Sequence, residues 1–108
     1  MPSGEAAIVD IEKLTGYCLN PAHPRGKHKA RVFAAALGLT IENAGHLRDE
    51  LLQAAATADA QRVDADGFGD RYVLEFEMIG VRGTATVKST WIVRRGERNP
   101  RLTSCFVK

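Results

Sequence analysis

The hydrophobic period of this chain changes near residue 59, and that switch restricts what it can fold into. Before it, Ala30, Phe33, Ala34 and Leu37 recur at i, i+3, i+4 and i+7, the stripe of an amphipathic helix. Ala44, Leu47, Leu51, Ala54, Ala55 and Ala58 form a second such stripe. Beyond it, Tyr72, Leu74, Phe76 and Met78 alternate with Arg71, Glu75 and Glu77, and Ala85, Val87, Trp91 and Val93 alternate with Thr84, Thr86, Lys88, Thr90 and Arg94. Helices followed by consecutive strands with short links predict an α+β fold. Two N-terminal helices should pack on one face of a three- to four-stranded antiparallel meander.

Local signals set the expected boundaries. Ile8, Ile11 and Leu14 predict a short helical turn over 10–14, ended by Gly16, with Tyr17-Cys18-Leu19 as a buried connector. The first long helix should run over 26–37, with Gly38 as its left-handed terminator. The second should start after Thr40 as N-cap and reach Ala58. Strands are expected over 60–66, 71–79, 84–94 and 102–107, the last with Leu102 and Phe106 turned inward against Arg101, Thr103 and Cys105. The inward face is then Tyr72, Phe76, Val87, Trp91 and Phe106, leaving a polar outer face. The length suits one domain over 1–108, with residues 1–7, which lack a pattern, as a loose terminus.

The net charge of +2 is too small to argue for nucleic acid, but its distribution is uneven. Arg25, Lys27, Lys29 and Arg31 crowd into 23–31 without an acid, and Arg94, Arg95, Arg98, Arg101 and Lys108 make the end basic again. If the two segments meet, they form a cationic patch. Nothing resembles a signal peptide or a membrane span, so a cytoplasmic protein without membrane association is expected. Cys18 and Cys105 are too few for a disulfide scaffold and sit in apolar sequence, which predicts inert buried thiols. Metal-ligand spacing is lacking around them, and His23 and His28 are not at the i, i+4 spacing of helical ligands, so neither a metal nor another cofactor is expected.

The segment 23–31 also opens the first long helix, where free N–H groups and the helix dipole favour an anion. Metal-free cleavage of an RNA phosphodiester needs an acid, a base and cations for the phosphorane charge. His23 and His28 supply the titratable groups, with Arg71 and Thr103 completing the candidate catalytic set and Glu75 or Glu77 as another base. Arg25, Lys27, Lys29, Arg101 and Thr90 are the candidate substrate-binding residues. A plainer account competes for each. His23 caps a turn, His28 is a solvated helix residue, and Glu75, Glu77 and Lys88 are cross-strand charge pairs.

The run from Leu19 to Phe33, with its Asn20-Pro21, His23-Pro24, Gly26 and His28-Lys29-Ala30, followed by Leu37-Gly38, resembles the signature of a small uncharacterised bacterial domain family. Gly69-Asp70-Arg71-Tyr72, Trp91-Ile92-Val93 and Pro100 to Ser104 are similar to its later motifs. Such domains occur alone or at the ends of toxin-like proteins. They distantly resemble the barnase, EndoU, colicin and RelE group of metal-free ribonucleases, whose layout is helices followed by an antiparallel sheet. The resemblance implies a ribonuclease-like, toxin–antitoxin role and RNA as substrate. It carries over no catalytic set residue by residue. The alternative is a non-catalytic domain binding a small acidic operon-partner protein, or a phosphorylated ligand, through 23–31. The chain is expected as a monomer or, through an exposed last strand, a homodimer.

Overall fold

The computed structural model describes residues 1–108. A short helix α1 (Ile11–Lys13) runs without a break into a π-helical turn over Leu14–Cys18. Gly16 therefore does not end the turn as its sequence suggests, and Tyr17 and Cys18 are helical. Helix α2 (Lys27–Leu37) buries Ala30, Phe33 and Leu37. It stops at Gly38, whose φ of 70° is the left-handed conformation open to glycine at little cost. Thr40 and Asn43 form a reciprocal cap around a 3₁₀ turn, Ile41–Asn43, that leads into α3 (Ala44–Thr57). Helix α3 buries Ala44, Leu47, Leu51, Ala54 and Ala55, so both predicted stripes face the core.

The sheet is antiparallel throughout, in the order β1 (Gln61–Ala65), β2 (Gly69–Gly80), β3 (Gly83–Arg94), β4 (Arg101–Val107). All its connections are between neighbours, as the short links require. Helix α2 lies across β2, β3 and β4, while α3 packs on β2. The fold is thus the predicted α+β meander with helices on one face. Its core joins Phe33, Leu37, Leu47 and Leu51 to Leu74, Met78, Val87 and Trp91. Trp91 donates its indole N–H to Ser89 Oγ at 2.9 Å, and Ser89 donates in turn to the Leu74 carbonyl. The two polar groups thereby enter the core satisfied.

The first residues do not hang free. A 3₁₀ turn over Gly4–Ala6 sits on α3, and Ile8 adds a parallel bridge to Arg101, with its N–H on the Pro100 carbonyl and its carbonyl receiving the Leu102 N–H.

One strand differs from its expected pattern. The pairing of β4 with β3 slips between Thr90 and Trp91, where Thr103 and Ser104 together face Thr90. The extra residue changes the phase of the strand. Leu102 and Cys105 both point inward and are buried, whereas Phe106 packs against none of the core. The expectation of an inward Phe106 and an outward Cys105 is therefore reversed, because alternation was counted through a bulge.

Candidate anion-binding cleft

The bulge, α2 and the π-helical turn converge on one open cleft of about 600 Å³ at the β4 edge. At its centre is Lys29, whose ammonium donates to Tyr17 Oη at 3.0 Å and to Ser104 Oγ at 3.1 Å. It also stands 4.8 Å from the centroid of the Tyr17 ring, within cation–π range. Lys29 is half-buried, and no carboxylate comes within ion-pair distance of it. Since Tyr17 Oη accepts from the ammonium, its own hydrogen is free to donate, whereas the Ser104 hydroxyl also serves the Cys18 thiol. The third N–H of the lysine and the Tyr17 O–H thus border a position suited to an oxyanion. Lys13, His23, Arg25 and Thr103 line the same cleft, with Asp10 and Glu12 as its acids.

Three elements have to come close for this to form. Gly26, at the N-cap of α2, approaches Tyr17 so nearly that a Cβ there would lie 2.3 Å from the Tyr17 carbonyl oxygen. Glycine is required at that contact, and the contact keeps Lys29 over Tyr17.

His23 occupies the start of α2 in a definite way. Its Nδ1 accepts the N–H groups of Arg25 and Gly26, each at 3.0 Å, and its carbonyl accepts that of Lys27. The ring stands edge-on to Tyr17 at 4.8 Å. His23 thus takes the N–H groups of Arg25 and Gly26, ahead of the helix, and that of Lys27, its first residue, while the next two N–H groups, of His28 and Lys29, bond to no carbonyl and are the donors left at the helix start. With Nδ1 accepting, the neutral ring carries its proton on Nε2, so that nitrogen is a donor.

The remaining sequence candidates scatter. Thr103 lines the cleft, but its hydroxyl is engaged with that of Thr90 at 2.6 Å and with the Thr90 carbonyl, pinning the bulge. Arg101 borders a small adjoining recess with Lys13, Arg94 and Thr103, and pairs with Glu97 at 3.1 Å. The two basic segments touch where Lys29 meets Ser104, but no cation of the terminal one lines the cleft, and Arg95, Arg101 and Lys108 are each paired with a carboxylate. Lys27 and His28 are exposed on α2 outside the cleft. Arg71 stands on β2, two strands from Arg101 and in register with it through Ile92, but is held toward β1 between Asp64 at 3.3 Å and Asp66 at 2.8 Å. Glu75 is bound by Lys108 at 2.9 Å and Glu77 by the Thr86 hydroxyl, so neither faces the cleft. No three His, Cys, Asp or Glu side chains gather where a metal ion would bind.

Two features escaped the sequence reading. Tyr17 was expected as a plain connector, yet it supplies a wall and a hydroxyl. Cys18 and Cys105 are buried in the core, as expected, but next to polar groups that the sequence does not place there. They sit behind Tyr17 and Ser104, and Cys18 has its thiol lowered to about 7 by hydrogen bonding from the Cys105 side chain. Burial opposes that shift, while the Cys105 backbone N–H, Ser104 and the Lys29 charge add to it. The Cys105 thiol is pushed up, chiefly by its partner and by burial. Of the two coupled thiols, Cys18 is thus the one that ionises more readily. The apolar neighbours in sequence hid this, because the polar ones come from other elements.

Comparison with known proteins assigns the chain to a family. It belongs to the domain of unknown function DUF6883, whose model matches residues 1–108. No curated protein matches it. Among solved structures, it is similar to a chain described as "Contact-dependent growth inhibition toxin - immunity protein complex from Klebsiella pneumoniae 342". The TM-score is 0.72 at 19% identity, over 94% of this chain and 100% of that one. At that identity the two share a fold. No helix of the chain is long and apolar enough to cross a membrane.

Proposed function

We propose that this chain is a toxin-like domain that binds and cleaves RNA phosphodiesters in the Lys29 cleft, using protein groups rather than a metal ion. The observation that carries the reading is a half-buried ammonium that has hydroxyl partners and no carboxylate. An uncompensated cation at the bottom of a cleft is an anion site in waiting. Lys29 and Tyr17 hold the non-bridging oxygens and take up the charge of the phosphorane, with Ser104 orienting the ammonium. Arg25 and Lys13 at the rim hold the flanking phosphates, and His23 adds its Nε2–H. Glu12, a cleft residue without an ion-pair partner, takes the proton of the attacking 2′-hydroxyl. The 5′-oxygen leaves into an open cleft where water protonates it. The toxin–immunity description of a protein with this fold agrees with the reading.

The test is cleavage of total RNA by the purified protein in excess EDTA. Cleavage should persist in EDTA and be lost in Lys29→Met. A wild type that cleaves nothing, or a variant that cleaves equally well, overturns it. The same neighbour supports a second reading, in which the cleft binds an acidic protein partner without catalysis. That reading gains if the wild type is inactive and Lys29→Met abolishes capture of a co-encoded acidic protein.

A further inference from the structure

Against the cleft lies a second hollow of about 240 Å³, bordered by His28, Lys29, Val32, Phe106 and Val107. Lys29 borders both spaces. Its ammonium stands 5.7 Å from the Phe106 ring centroid and 4.8 Å from that of Tyr17, so one charge divides a polar chamber from an apolar one. We propose that this hollow seats one nucleobase of single-stranded RNA against the Phe106 ring while the adjoining phosphate rests on Lys29. The inference depends on the cleft being a phosphodiester site.

Three observations support this occupant. The bulge that brings Ser104 to Lys29 also turns Phe106 out of the core and onto the hollow. A half-exposed aromatic ring that packs on no core residue is a stacking platform without a partner. The rest of the wall suits a flat heterocycle, with an imidazole at His28 and aliphatic surface at Val32, which is 44% exposed, and Val107. The helix that lends it His28, Lys29 and Val32 has exposed Lys27 next to His28, and the chain offers no acid between Glu12 and Glu42. The strand must be single, because a base reaches a protein ring only when it leaves its helical stack. The hollow also gives His28 a place beside the substrate instead of a part in proton transfer.

The test is fluorescence anisotropy with a short 2′-O-methylated strand, which cannot be cleaved through its 2′-oxygen, and the same strand with one abasic position scanned along it. Wild type should bind the intact strand about tenfold more tightly than the best-placed abasic one, as loss of one stacked base predicts. Phe106→Leu should bind both as weakly as wild type binds the abasic strand. Equal binding of intact and abasic strands by wild type overturns the base site. If Lys29→Met then weakens both, the phosphate cleft stands alone. No binding of any strand by wild type overturns the base site and the cleft together. A Phe106→Leu variant that loses an acidic protein partner but keeps full discrimination between strands also overturns it.

Discussion

The two ends of the sheet hold similar numbers of cations and use them in opposite ways. At the β1–β2 end, Arg71 lies between Asp64 and Asp66, and Arg62 and Arg95 share Asp70. Arg95 also donates to the Asp66 carbonyl. Each of these three guanidiniums is answered by a carboxylate, in pairs that lie open to solvent. At the β4 edge, Lys29 is held only by neutral hydroxyls, with Arg25 and Lys13 beside it. Charge that is already compensated stabilises a turn. Charge that is left over attracts a ligand. A count of lysines and arginines along the sequence ranks the two ends alike, and only their partners separate them.

The sharpest way to break the contrast is to remove one cation from each end. Lys29→Met should lower RNA cleavage by about 10² or more, the scale seen when a transition-state donor is lost. Arg71→Gln should leave cleavage at the wild-type level. Single-turnover assays on one defined substrate give both. Equal losses in the two variants would make the electrostatics diffuse and dissolve the distinction.

That distinction was only partly legible in the sequence. The switch of period gave the layer order, because Phe33, Leu37, Leu47 and Leu51 are read by the same rule that packs them. The cleft depends on three things that periodicity does not encode. The β4 bulge shifts Cys105 and Phe106 to faces opposite to those alternation assigns. The π-helical turn carries the chain past Gly16 and brings Tyr17 to Lys29. The His23 ring caps the turn that leads into α2, by accepting the Arg25 and Gly26 N–H groups. Of the candidate residues, His23, Arg25, Lys29 and Thr103 share a cleft, since three of them stand on one short segment. Arg71 fell elsewhere because the acids that claim it, Asp64 and Asp66, sit on the neighbouring strand and the turn after it.

A smaller effect sharpens the picture of how Lys29 is held. Tyr17→Phe and Ser104→Ala each remove one oxygen that orients the ammonium, and Tyr17→Phe also removes an O–H aimed at the substrate. Each should cost about tenfold in cleavage, a hydrogen bond's worth in a charged setting. The double variant should lose less than the product of the two, because both act through one ammonium. Full additivity would mean that Tyr17 and Ser104 act independently of Lys29.

The thiols behind the cleft set a further mark between the two ends, as only this end has a group titrating near neutrality. With its folded pKa lowered from 9.0 to about 7, Cys18 stabilises the fold fully only above pH 9, and that contribution fades as pH falls through 7. Cys105→Ala removes the largest cause, so the thiolate absorbance of Cys18 should titrate at a higher pH than in wild type. The rise of stability between pH 7 and 9 should flatten with it. An unchanged midpoint would assign the shift to Lys29 and the backbone instead.

The smallest effect belongs to the paired end. Asp66 is held below its ordinary carboxyl range, first by the Arg71 side chain and then by the Phe68 N–H. Its contribution is therefore present above the usual carboxylate pKa and disappears as pH falls through the lowered one. The pair is open to solvent, where screening and side-chain entropy cancel most of the attraction. Arg71→Gln should accordingly leave the melting temperature at neutral pH within the error of the measurement. The variant and wild type should converge further in acid, as Asp66 loses its charge in both. A large loss at neutral pH would show the network bearing on the β1–β2 pairing itself, and the two ends would then differ less in kind than in which element their cations hold.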